Sequence, residues 1–197
     1  MKANGLLPNP RYREFHKTLA AHPESFAPWS GTLFRFQSIN YPKASDILSG
    51  SEAQQRGGRW SPPGLRALYG SSTDTTALEE CKANDRYYGI LTKSPRILVA
   101  IEARLIRVLD LRNPTLRRHL GITLKEISAE DWRKLLWAHQ ESQSQALGRA
   151  AAELGASGLL VHSVAVTHGT NVVVFPHAHI EDQLRVVEGD KLARLKR

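Results

Sequence analysis

The run at residues 56–81, RGGRWSPPGLRALYGSSTDTTALEEC, constrains this chain more than any other segment. Gly57-Gly58 and Pro62-Pro63-Gly64 dictate two turns, because glycine admits positive φ and proline fixes its own. A short strand is predicted at residues 66–69, and a helix from about Asp74 to about Tyr88. The segment thus presents an arginine, Arg59, on a tight backbone. It places Tyr69 at a strand end and Glu79-Glu80 early in a helix.

The rest of the chain alternates helices and strands. Residues 10–21 carry Tyr12, Phe15 and Leu19 on one helical stripe, and His22-Pro23 ends that helix. TLFRF at 32–36 reads as a strand with Leu33 and Arg35 on one face and Phe34 and Phe36 on the other. Residues 40–58 are polar and turn-rich, so a long loop is expected. ILVAIEA at 97–103 reads as a buried strand, and 108–111 as another. Ser128 is expected to cap a helix carrying Trp132, Leu135, Leu136 and His139. A further helix is predicted over 141–154, stopped by Gly155 and Gly158. GLLVHS (158–163) and NVVVF (171–175) are two more strands. Interleaving of this kind predicts an α+β fold, with residues 1–30 as an N-terminal helical appendage and 31–197 as the main domain.

With 197 residues, 41% of them hydrophobic, one domain with a sizeable core is expected. No stretch is long and apolar enough for a membrane span, and the first residues lack the shape of a signal peptide. A single cysteine, Cys81, excludes an internal disulfide, and a cytoplasmic location is expected. The net charge of +8 favours anionic partners or is solvated surface. Several classes find no support. His177 and His179 have no third ligand at a metal-site spacing. No GxSxG elbow surrounds Ser163, no Walker or dinucleotide-fold glycine pattern is present, and the basic stretches lack interleaved aromatics.

The candidate site residues each carry two readings. Arg59 can fork hydrogen bonds to a phosphate or pair with an internal carboxylate. Tyr69 can flank a flat ring or pack in the core. Glu79 and Glu80 lie about 100° apart on a helix, so one pocket cannot receive both. Glu79 shares a solvated face with Lys82 and Arg86, and Thr76 to Glu79 fits a capping box. Glu80 is therefore the better candidate for chemistry, its alternative being a buried ion pair. Arg35, directed to the apolar side of its strand, needs an anion there, either Glu80 or a substrate phosphate. Ser163 ends a strand where clefts open, and Asn171 begins the next.

Phe34-Arg35-Phe36, Gly57-Gly58-Arg59-Trp60, Ala67-Leu68-Tyr69, Ala77 with Glu80, and His162-Ser163 with Gly169-Thr170-Asn171-Val172 follow one another in order. Together they resemble the RES family, over roughly residues 32–176. Ser61, Phe36 and His162 depart from residues common at those places in the family. The resemblance implies mixed, mostly antiparallel sheets with flanking helices, similar to ADP-ribosyltransferase toxins. It implies a toxin that consumes NAD by hydrolysis, phosphorolysis or ADP-ribosyl transfer, with NAD as substrate, no cofactor and no metal. By the same resemblance Glu80, Arg35 and Ser163 are catalytic, and Arg35, Arg59, Tyr69, Ser163 and Asn171 bind substrate. The implied partner is a helix-turn-helix antitoxin, or an immunity protein, covering the active site. Nucleic acid would then be reached only through that antitoxin. The alternative is a non-enzymatic nucleotide- or protein-binding module using the same basic pocket.

Overall fold

In a computed structural model that describes residues 5–90, 95–176 and 178–194, fifteen helices and strands follow one another. They are α1 (Tyr12–Ala21), β1 (Phe26–Ser38), α2 (Ala44–Leu48), α3 (Ser51–Arg56), β2 (Leu68–Ser71), α4 (Asp74–Tyr87), β3 (Arg96–Asp110) and α5 (Pro114–His119). After these come α6 (Leu124–Ala129), α7 (Trp132–Trp137), α8 (Gln143–Glu153), β4 (Gly158–His162), β5 (Thr170–Val174), β6 (Gln183–Val186) and α9 (Gly189–Ala193). The strands lie in the order β1-β2-β5-β4-β3-β6, with β1 also paired to β3. That extra pairing closes β1, β2, β5, β4 and β3 into a ring. Every pairing is antiparallel except β3 with β4. The fold is α+β, as expected.

Strand alternation sorts the side chains into two cores. Leu33, Leu68, Val99, Ile101, Leu160, Val172 and Val174 meet inside the ring. Leu109, Leu111, Leu159, Val161 and Val173 face outward and are covered by helices. Ala146, Leu147, Ala150 and Ala151 of α8 fill this outer core, joined by Phe15 and Leu19 of α1. The capping box at Ser142 and Gln145 starts α8. Gly155, at φ +80°, lets the chain turn into β4.

The N-terminal helix α1 packs against the rest of the chain. Phe15 and Leu19 are fully buried in the outer core, and the boundary expected at residue 30 falls inside β1. Residues 40–58 are not one long loop but hold α2 and α3, each too short to show a periodic pattern. The strands expected at 97–103 and 108–111 are one strand, β3. Asp131, not Ser128, caps α7, its side chain accepting from Lys134 N; Ser128 lies within α6. Thr73, not Thr76, caps α4. Among the described residues no helix is long and apolar enough to cross a membrane.

Gly148 is where α8 touches the loop that carries Arg59. A Cβ there would stand 1.9 Å from the Trp60 carbonyl oxygen. Gly148→Ala is expected to destabilise the protein by about 1–3 kcal/mol through overpacking. Thermal unfolding measures it, and a melting temperature equal to wild type would show that the loop yields freely.

Candidate active site

Glu80 lies in the second turn of α4, half-buried over the outer face of β4 and β5. Its Oε1 accepts two short hydrogen bonds, from Ser163 Oγ at 2.6 Å and Asn171 Nδ2 at 2.6 Å. Each donor is itself oriented. Ser163 Oγ accepts from the amides of Ala165 and Val166, at 3.1 and 3.0 Å, which leaves its own proton for the carboxylate. Asn171 Oδ1 accepts from Ser71 Oγ at 2.7 Å, which fixes the amide so that its NH₂ faces Glu80. Ser71 and Asn171 are cross-strand partners on β2 and β5. Two donors converging on one oxygen hold the carboxylate in one orientation. Among the described residues Oε2 accepts no hydrogen bond, so one oxygen is held and the other is available.

Arg59 approaches from the loop between α3 and β2. Its Nη1 donates to the carbonyls of Ile127 at 2.7 Å and Glu130 at 3.2 Å. Among the described residues this guanidinium makes no other hydrogen bond, so its remaining N–H groups are unspent. Burial lowers its pKa, opposed by the nearby carboxylates of Glu130 and Glu80. The two glycines before it serve different ends. Gly57 has φ +75°. A Cβ at Gly58 would lie 2.5 Å from the Tyr69 hydroxyl.

Tyr69 buttresses this loop. Its hydroxyl accepts from Trp60 N at 2.9 Å and pairs with Ser61 Oγ at 2.9 Å. Burial raises its pKa to about 12, so the phenol stays neutral at working pH. Gln145 Nε2 donates to the Gly58 carbonyl at 3.0 Å and ties the loop to α8. Ser61 and Gln145 are fully buried.

Arg35 stands apart from this group. It pairs across the sheet with Val99 and follows Leu33, both lining the inner core. Phe34 pairs with Ser71, so Phe34 shares the side of Asn171 and Arg35 takes the other. Among the described residues Arg35 makes no ion pair with Glu80. Its nearest carboxylate is Glu52, at 3.9 Å. Its Nε is buried without a hydrogen-bond partner, and burial lowers its pKa. Arg35 follows Phe34, whose register partner is Ser71 on β2, the strand that helps brace Glu80.

The structure therefore gathers Glu80, Ser163 and Asn171, sets Arg59 and Tyr69 beside them, and leaves Arg35 behind the sheet. Asn171 spends its amide on Glu80 and Ser71, so it positions the carboxylate. Glu79, the rejected neighbour, forms a salt bridge with Lys82 at 2.7 Å. Ser71 and Gln145 carry no signal in the sequence, and Ser61 stands out there only as a departure from the family pattern. Only the register of two strands, once known, points to Ser71. Among the described residues no group of three or more His, Cys, Asp or Glu could hold a metal ion; His177 lies outside those residues.

A ring-closed mixed sheet bearing one braced carboxylate next to a loop arginine defines the class, an α+β protein built around a single acid. The RES domain model matches residues 32–194, and the chain belongs to that family. It is 31% identical over 140 residues to proteins named NAD(+) phosphorylase MbcT from Mycobacterium bovis and Mycobacterium tuberculosis, covering 68% of this chain and 67% of each relative. Its fold is similar to a chain in the crystal structure of the M. tuberculosis MbcT–MbcA toxin–antitoxin complex. The TM-score is 0.63 at 22% identity, over 92% of this chain and 96% of that one.

Proposed function

We propose that this chain is a toxin that cleaves NAD at the nicotinamide–ribose bond and passes the ADP-ribosyl group to inorganic phosphate. The observation that carries the reading is the Glu80 carboxylate, with Oε1 fixed by Ser163 and Asn171 and Oε2 open. An oxygen so presented can accept from the ribose hydroxyls and stabilise the oxocarbenium-like charge that develops as nicotinamide departs. Ser163 and Asn171 hold the acid rigid, so little reorganisation accompanies the charge. Arg59 supplies unspent donors for the diphosphate, a match of fork to anion. Arg35, on the opposite face of the sheet with its Nε buried, takes no part in this reading. Tyr69 keeps the Arg59 loop in place and offers its ring edge to the nicotinamide side.

Phosphate as acceptor is supported by the relatives, which are named NAD(+) phosphorylases. The similar fold in a toxin–antitoxin complex supports an antitoxin as partner. A helix-turn-helix antitoxin whose tail covers the Glu80 pocket completes the reading. The acceptor is tested by incubating the purified chain with NAD in phosphate and in phosphate-free buffer. Nicotinamide release should rise with phosphate, and ADP-ribose phosphorylated at the cleaved carbon should accumulate. Release at the same rate in both buffers, with free ADP-ribose as product, would make the enzyme a hydrolase instead.

A further inference from the structure

We propose, given Glu80 as the residue that faces the cleaved sugar, that the exposed rings of Tyr88 and Trp137 form the subsite for the adenine end of the dinucleotide. Helix α4 runs from one place to the other. Glu80 and Asn84 lie one turn apart on the same face, and Tyr88 caps the helix a turn later. At 1.5 Å per residue Tyr88 is about 12 Å from Glu80 along the axis.

Arg133 organises this end. Its Nη2 donates to Asn84 Oδ1 at 2.8 Å and its Nε to the Tyr88 hydroxyl at 3.2 Å. Its guanidinium lies over the rings of Tyr87 (4.5 Å), Tyr88 (5.4 Å) and Trp132 (4.5 Å). Trp132 is buried, but Tyr88 is 48% and Trp137 63% exposed. Tyr87 bridges the two, its ring centroid 5.2 Å from that of Tyr88 and 6.1 Å from that of Trp137. Exposed aromatic rings offer a stacking surface, since every base has a π-face.

Arg59 lies within electrostatic reach of both Glu80 and Arg133. It is anchored to the carbonyl of Glu130, three residues before Arg133. Carboxylate, guanidinium and aromatic rings thus follow in the order ribose, diphosphate and purine. The hydrogen bonds and ring contacts of Arg133 clamp α7 to α4 and would serve a structural role alone. They do not require Trp137 to be exposed.

The test titrates ADP into the full chain by calorimetry, comparing wild type with Tyr88→Ala and Trp137→Ala. Because Trp137 is mostly exposed, its removal leaves the Arg133 clamp untouched. ADP is expected to bind wild type and to bind each variant about tenfold more weakly, the effect of losing one stacked ring. In steady state the KM for NAD should rise with kcat unchanged, and cleavage of nicotinamide mononucleotide, which lacks adenine, should not respond. Absence of ADP binding to wild type, or equal binding by all three proteins, overturns the assignment. Failure of the NAD reading looks different, as wild type that binds ADP but releases no nicotinamide.

Discussion

Glu141→Ala is expected to lower the unfolding free energy by about 3–5 kcal/mol, the cost of removing one member of a buried ion pair. Glu141 is fully buried and Arg149 nearly so. They form a two-pronged pair, Nε to Oε1 at 2.7 Å and Nη2 to Oε2 at 2.8 Å. Glu141 Oε2 also accepts from Asn9 N at 3.0 Å. Arg149 stacks over the Tyr12 ring at 3.6 Å, so the pair binds the N-terminal segment to α8. Glu153, 3.6 Å from Arg149, would remain as a weaker partner. Urea unfolding measures the change. A loss under about 1 kcal/mol would mean that Glu153 or water takes over the charge. Activity should fall with stability, because α8 also carries Gln145 and Gly148, which set the Arg59 loop.

The elements legible in the sequence are those whose signal is local. Helix α4 has its polar start at Thr73-Asp74, and β4 and β5 are apolar runs bounded by glycine and polar residues. The phase of α4 alone separates Glu80 from Glu79. What stayed hidden depends on partners far along the chain. Helices α2 and α3 are five and six residues long and hold their shape by burying Ile47 and Ala53. β3 looked broken because Arg104 and Arg107 interrupt its apolar run between residues 103 and 108. Arg104, like Glu102, is an outward member of an alternation with Ile101, Ala103 and Leu105. The bonds that brace Glu80 span 83 and 91 residues. Ser163 and Asn171 could be marked as strand-end polar residues, but their convergence on one oxygen needs the β4–β5 pairing. For Arg35 the alternation was readable and correct in its face, and it is this alternation that turns the guanidinium away from Glu80.

Glu80→Gln is expected to reduce NAD cleavage on the order of 10³-fold, the scale seen when one group facing transition-state charge is removed. Glutamine keeps the shape, and its carbonyl oxygen can still accept from Ser163 and Asn171. Stability should therefore change by less than about 1 kcal/mol. What disappears is the negative charge that the proposed function sets against the sugar carbon, so the loss should fall on kcat rather than on KM.

Nicotinamide release from NAD, followed by chromatography with purified wild type and folded Glu80→Gln side by side, tests this most directly. The braced carboxylate predicts steady release by the first and almost none by the second. Equal rates, or NAD left intact by wild type, would contradict it.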